Sequence, residues 1–303
     1  MNKIIFYNWH QHGDLSLSRG IVNWIVNHSP NNVEFLFGMT KHLLSVFFGD
    51  RVKTFSLEHG QYQFVNQHIG YVGPDYITTN LWIGSSPSFL NRDNTPRNSL
   101  NNPMDYTAEH IFNHCYEIID YLNNNRDIKI PYPQNEADVL PKANLYPLQK
   151  QNVDNFLNSI NHYNKKILIC NGELHSLQTP NFSLSQCIES FVNEHPEIAF
   201  IYTANFSNPK PNEFFINNYC DRYLPNLNEI DYVSTHCDIL ITRRSGPGEI
   251  IQTYENFFDP NKTIISLYSY SPGQWIFTNG KAKLDWTDNF SSESIINLIK
   301  KHI

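Results

Sequence analysis

The chain has 303 residues, 40% hydrophobic and 17% charged, with 22 basic against 29 acidic side chains and a formal net charge of −7. That size allows one large core or two medium ones, and ordinary domain sizes favour two. An acidic chain without clustered Lys and Arg excludes a broad nucleic-acid footprint or a polybasic membrane patch and favours a small polar substrate.

The opening MNKIIFYNWHQHG turns polar before the apolar segment of a secretory signal can form, and no stretch approaches the roughly 18 apolar residues of a membrane helix. A cytoplasmic protein with no integral membrane segment is expected. Cys115, Cys170, Cys187, Cys220 and Cys237 are scattered and odd in number, with no C-x-x-C pair. Reduced, mostly buried thiols are therefore expected rather than a disulfide or metal set.

In chain order, KIIFYN predicts a strand and LSRGIVNWIVNH a helix. VEFLFG and TKHLLSVFFGD repeat the pair, and DYITTNLWIG and YTAEHIFNHCYEIIDYL form a third. Strand and helix patterns in alternation predict parallel strands covered by helices. The stretch IPYPQNEADVLPKANLYP, from Ile130 to Pro147, breaks the pattern because its prolines remove backbone donors. The link between lobes is placed there, with residues 1–146 as the first lobe and its linker and 147–303 as the second. LQKQNVDNFLNSINHY then predicts a helix before KKILICNG, SLSQCIESFVNEH, IAFIYTAN, EIDYVSTH, CDILITRRSG, GEIIQTYENFF, KTIISLY and SESIINLIKKHI alternate strand with helix. The predicted fold class is α/β with two Rossmann-like lobes.

Chemistry-bearing residues gather where strands end. In CDILITRRSGPGEIIQTYENF the run Ile239–Thr242 meets Arg243 and Arg244, then Ser245, Gly246, Pro247, Gly248 and Glu249. Glycines permit close backbone approach, Pro247 suits a first helical turn, and a helix start offers free N–H groups to an anion. Arg243 or Arg244 would supply the charge and fork geometry for a phosphate, and Glu249 would accept from ribose hydroxyls. The same residues also read as a capped turn, with Ser245 as cap and Glu249 closing a capping-box-like contact. Two arginines at a strand's carboxyl end are not needed for capping, and open α/β sheets bind ligands at that end.

The order of elements in YLPNLNEIDYVSTHCDILITRRSGP resembles the carboxyl-terminal lobe of GT-B glycosyltransferases. ITRRSGPGE is similar to the donor-binding corner of their heptosyltransferase-like branch, glycosyltransferase family 9. That corner has an acidic residue, a Ser or Thr, a glycine and, three positions on, a histidine. Here Arg244 stands at the acidic position and Glu249 at the histidine position, so the resemblance carries over Ser245, Gly246 and Pro247 as a pyrophosphate corner but not the heptose donor. It implies two lobes with a cleft between them, and the inverting chemistry of the family, in which a sugar passes from a nucleotide-sugar donor to a hydroxyl of a glycan or glycolipid precursor.

Within that resemblance the loop of ILICNGELHSLQTP, with Asn171, Gly172, His175, Ser176 and Gln178, faces the donor phosphates; a plain Asn-Gly turn is the other reading. Gly13-Asp14 in HQHGDLSLSRG stands where the family's loop aspartate meets the acceptor hydroxyl, so Asp14 is the expected base. His12 or His10 is the alternative base or a positioning partner, and Asp14 also reads as a helix N-cap. Arg19 points to the phosphate cleft or forms a surface pair. Thr78, Thr79, Asn80 and Trp82 combine ring and polar groups suited to an acceptor sugar, or to a core.

The sequence has no D-x-D motif, no G-x-x-x-x-G-K-[ST] phosphate loop and no G-x-S-x-G elbow. Metal-independent transfer without a cofactor is expected, the nucleotide sugar being a substrate. A sugar-nucleotide epimerase or hydrolase of the same fold, or a non-catalytic glycan- or partner-binding protein, are the competing expectations.

Overall fold

The computed structural model describes residues 2–8, 12–40, 48–57, 69–82, 108–172, 180–219, 227–243, 246–268 and 277–303, the side chains of His12, Asp14 and Tyr71 excepted. The chain divides into two compact units, the first reaching Lys142 and including Phe277, the second starting at Ala143.

In the first unit, β1 (Asn2–Asn8), α1 (His12–His28), β2 (Val33–Met39), β3 (Val52–Ser56), β4 (Ile69–Val72), β5 (Tyr76–Asn80) and α2 (Ala108–Asn125) follow one another. The sheet order is β3-β2-β1-β5-β4, parallel except that β4 runs antiparallel to β5. Ile4, Ile5, Phe6 and Tyr7 are all buried, so the central strand is covered on both faces and carries no polar–apolar alternation. The short strands β3 and β4 are absent from the sequence expectation, and residues 41–47 of the expected TKHLLSVFFGD helix lie outside the described residues.

The Pro- and Asn-rich stretch expected as a linker holds the division between the units, at Lys142 and Ala143, and its earlier part packs on the first unit. The Trp24 indole donates to the Pro131 carbonyl at 2.9 Å, and the Asn123 amide pairs with both backbone groups of Ile130. Tyr132 stacks on Tyr116 at 4.3 Å and donates to Asp120. A 3-10 turn, Glu136–Val139, closed by a capping box from Asn135, then runs past α1. It runs so close that a Cβ on Gly20 would stand 1.7 Å from the Val139 carbonyl oxygen, which explains a glycine inside a helix.

The second unit contains α3 (Pro147–Ser159), β6 (Lys165–Ile169), α4 (Leu184–Cys187), α5 (Glu189–Glu194), β7 (Ile198–Tyr202), β8 (Glu213–Phe215) and α6 (Leu227–Thr235). These are followed by β9 (Ile239–Arg243), α7 (Gly246–Ile250), α8 (Tyr254–Phe258), β10 (Thr263–Leu267), β11 (Lys283–Thr287) and α9 (Ser292–Lys300). Its six strands are all parallel in the order β11-β10-β9-β6-β7-β8. Counted from the entry strand β6, this is the doubly wound order 3-2-1-4-5-6, whose switch point lies between β6 and β9.

Ile167, Ile169, Phe200, Ile239, Ile241 and Ile265 from the strands close against Leu184, Phe191, Ile295 and Ile299 from the helices. Each such fully buried side chain contributes about 1.5–3 kcal/mol relative to exposure. The helix expected over GEIIQTYENFF is two short ones, because Thr253 leaves the helical path and caps α8 by accepting from the Asn256 N–H. Asn256 in turn accepts from the buried Lys262 ammonium at 2.9 Å and donates to Ser234, tying α8, the residue before β10 and α6 together.

Candidate functional site

Open α/β sheets bind ligands beyond the carboxyl ends of their strands at the switch point, so the residues ending β6 and β9 come first. Arg243 closes β9. It is 1% exposed, and its guanidinium donates to the carbonyls of Asn171 at 2.8 Å, Gly172 at 2.5 Å and Phe182 at 3.3 Å. The Phe182 ring lies 5.2 Å from the same guanidinium, within cation–π range. Burial pulls the Arg243 pKa down from its ordinary value. The expected direct phosphate contact is therefore corrected: Arg243 spends donors on protein carbonyls and joins β9 to the segment after β6.

Asn171 is also engaged. Its side-chain oxygen accepts from the Ala204 N–H at 2.8 Å and its amide donates to the Ala204 carbonyl at 2.9 Å, which fastens the end of β6 to the end of β7. This corrects the expectation of a phosphate-binding side chain at Asn171. Gly172, partly exposed as Asn171 is, has nothing within 4 Å of where a Cβ would stand.

On the other side of the corner, a Cβ on Gly248 would meet Thr242 Oγ1 at 2.1 Å and the Arg243 carbonyl at 2.2 Å, so only glycine lets α7 return this tightly onto β9. Gly246 and Pro247 open α7, a helix of five residues. Glu249 accepts from the Gln252 amide at 2.7 Å. Arg244, Ser245, His175, Ser176 and Gln178 lie outside the described residues.

Cys170, which follows β6, is buried, and burial pushes its thiol up to about 12 although Arg243 pulls the other way. Burial also pushes Cys237 up to about 12. Neither is a nucleophile at neutral pH. Cys115, Cys170, Cys187 and Cys237 are free thiols, and Cys220 lies outside the described residues.

The first unit has its own corner, where β1 and β5 end side by side with Tyr7 opposite Asn80. α1 begins at His12, so Gly13 and Asp14 occupy its first turn rather than the preceding loop. His10 lies outside the described residues. Arg19 is 1% exposed and folds back along its own helix, its Nε donating to the Ser16 carbonyl and Nη2 to the Ser16 hydroxyl. That overturns the expectation of a surface pair and leaves Arg19 inside the unit.

Asn80 is 5% exposed, its side-chain oxygen accepting from the Trp82 N–H at 3.0 Å and its carbonyl meeting His114 Nε2 at 2.9 Å. Asn80 thus ends the strand with both of its oxygens bonded within the first unit. Trp82 is half-buried. His114, on α2, was not singled out in the sequence although its spacing from His110, one turn earlier on the same helix, was legible there. Phe182 left no such signal. Among the described residues, no group of three or more His, Cys, Asp or Glu side chains could hold a metal ion, and no helix is long and apolar enough to cross a membrane.

No family model and no curated protein matches the sequence. Solved structures do. A glycosyl transferase family 9 protein from Veillonella parvula DSM 2008 is 11% identical with a TM-score of 0.55, over 100% of this chain and 90% of that one. The ADP-heptose LPS heptosyltransferase II of E. coli is 10% identical with a TM-score of 0.55, over 99% and 98%. The E. coli heptosyltransferase WaaC, solved with ADP, is 8% identical with a TM-score of 0.51, over 99% and 100%. The likeness is one of fold: two Rossmann-like lobes of the GT-B, heptosyltransferase-like kind.

Proposed function

We propose that this GT-B chain is a metal-independent glycosyltransferase that moves a sugar from a nucleotide-sugar donor to a hydroxyl of a glycan or glycolipid precursor. The observation that carries the reading is the doubly wound sheet of the second unit, with a rigid corner at its switch point, in a chain whose whole length has the GT-B fold. The donor nucleotide sits at that corner. Arg244 meets the diphosphate, Ser245, Gly246 and Ser176 offer it hydrogen bonds, and Glu249 receives the ribose.

In the transfer step the acceptor oxygen bonds to the anomeric carbon while the bond from that carbon to the phosphate oxygen breaks. The electron pair leaves with the nucleoside diphosphate, and the hydroxyl proton passes to Asp14. The first turn of a 17-residue helix favours an ionised carboxylate, because the helix's positive end lies there. His12 is the alternative base, and His10 and Trp82 belong to the acceptor side.

The test is a thermal-shift titration with UDP, GDP, ADP, CDP and CMP, with and without EDTA, because a ligand that binds only the native state raises the melting temperature. One EDTA-insensitive stabiliser is expected, and Arg244→Ala should weaken its binding by about 1.5–3 kcal/mol, the range for a charge-assisted contact. Asp14→Asn should still bind that nucleotide but transfer sugar far more slowly. The absence of any nucleotide shift would overturn the reading in favour of a non-catalytic glycan- or partner-binding protein.

A further inference from the structure

We infer that Arg243 is a positioning residue for an anion seat made by the Gly172 N–H and the open space over Gly172, a seat that takes a phosphate oxygen of the donor diphosphate. The inference rests on the nucleotide site proposed above and adds which group holds it in shape.

A peptide is planar and trans, so its N–H points away from its C=O. The Asn171 carbonyl is drawn onto Arg243 Nη2 at 2.8 Å, which turns the N–H of the same peptide, that of Gly172, away from the guanidinium. Among the described residues the Gly172 N–H donates to no group, and Gly172 is partly exposed.

Three independent ties keep the peptide in that orientation. Arg243 holds the carbonyls on both sides of Gly172, and the Asn171 side chain is fastened to both backbone groups of Ala204. The backbone of Arg243 is itself wedged by the close return of Gly248. The Gly172 N–H projects from this locked corner, beside a position where a side chain would meet nothing within 4 Å. On the carbonyl side of the same peptide the Arg243 guanidinium adds positive charge to the corner. A donor fixed before the ligand arrives costs no reorganisation on binding, which is the condition for strong electrostatic stabilisation.

Inorganic pyrophosphate, which carries no base, and the nucleoside diphosphates UDP, GDP, ADP and CDP are the probes, titrated by calorimetry. Gly172→Ala places a methyl in open space, so the protein should melt within about 1 °C of wild type while binding these probes about tenfold more weakly, because the methyl occupies the seat. Arg243→Lys keeps the charge but loses the fork that grips two carbonyls at once. Below its own melting temperature, Arg243→Lys should also bind about tenfold more weakly.

Wild-type affinity in Gly172→Ala, or in folded Arg243→Lys, would overturn the inference while leaving the nucleotide reading intact. A folded Arg243→Lys that binds normally despite a lowered melting temperature would mean that the arginine supports the fold alone. If Arg243→Lys does not fold, Gly172→Ala decides. Failure of the wild type to bind pyrophosphate or any nucleotide would overturn both readings.

Discussion

Three arginines in this chain do the same chemical job in different places. Arg51 donates to the carbonyls of Val26, Ser29 and Pro30, where α1 ends and just before β3 begins. Arg126 donates to Gly73, Pro74 and Tyr76 at the turn that leads into β5. Both are half-buried in the first unit and sit at the amino ends of strands, where gathering the carbonyls of a turn serves the fold. Arg243 is 1% exposed and sits at the carboxyl end of β9, beside the switch point of the second sheet. Identical hydrogen-bond chemistry therefore has different consequences: at an amino end it closes a turn, whereas at the switch point it shapes the place where a doubly wound sheet takes its ligand.

The glycines divide in the same way, and their contrast carries the largest expected effect. Gly20 and Gly248 are wedged against backbone, whereas Gly172 faces open space. A Gly20→Ala methyl meets a carbonyl oxygen of the 3-10 turn that cannot swing aside as a flexible side chain would. Overpacking costs about 1–3 kcal/mol, and this contact belongs at the top of that range. With about 2–4 °C lost per kcal/mol in a chain of this size, a fall of roughly 10 °C in the melting temperature is expected by calorimetry. Gly248→Ala should come close behind, with Gly172→Ala near zero. Equal melting temperatures for all three would erase the distinction between closed and open corners.

Arg126→Ala is expected to lower stability by about 1–2 kcal/mol, the range for losing hydrogen bonds to partly exposed carbonyls. Urea titration measures that loss, and the affinity of any bound nucleotide should be unchanged because the turn lies at the far end of its strands from the proposed acceptor corner. Weakened binding would mean that the amino-end and carboxyl-end arginines are not separable. Asn171→Ala should cost about 1 kcal/mol for its pairing with Ala204. Unlike Arg126→Ala, it should also reduce nucleotide affinity, since it frees one of the ties on the Gly172 peptide.

The parts of the fold most legible in the sequence are those buried on both faces. Ile4–Tyr7, Ile167–Ile169, Ile198–Tyr202 and Ile239–Thr242 are continuous runs that only a covered parallel strand needs, and each was placed correctly. The edge strands were missed because they lack that signature: β8 has three residues and β11 is KLDWT, half-buried along most of its length. At the β9 corner the sequence located the arginine but not the direction of its guanidinium. That direction depends on carbonyls at Asn171 and Gly172, and on Phe182, 61 residues away, none of which announces itself as a partner. Gly20 was passed over for the same reason, since a glycine in an amphipathic helix acquires meaning only when the chain that crosses it is known.

The smallest expected effect separates the two units by acid titration. On the first sheet, Glu34 bridges Lys3 and Lys53 on an open face. The hydrogen bond from Lys3 is the main cause of its lowered pKa, with Lys53 assisting against the cost of burial. On the second, Asp285 of β11 meets Lys301 and His302. Burial alone would raise the Asp285 carboxyl, but the hydrogen bonds from Lys301 and His302 and the Trp286 N–H outweigh it and hold the pKa below the ordinary carboxylate value. A carboxylate whose pKa is lower in the folded state stabilises above its unfolded value, near 4, and that contribution disappears as pH falls through the folded value. The gap in melting temperature between wild type and Asp285→Asn should therefore be constant around pH 7 and close below about pH 4. Glu34→Gln should show the same sign with a smaller gap that salt erases, because exposed pairs are screened whereas the side chains of Asp285 and His302 are only 18% and 9% exposed. If salt erased both gaps equally, the anchoring of the second sheet's edge by the residues that follow α9 would be no firmer than a surface ion pair.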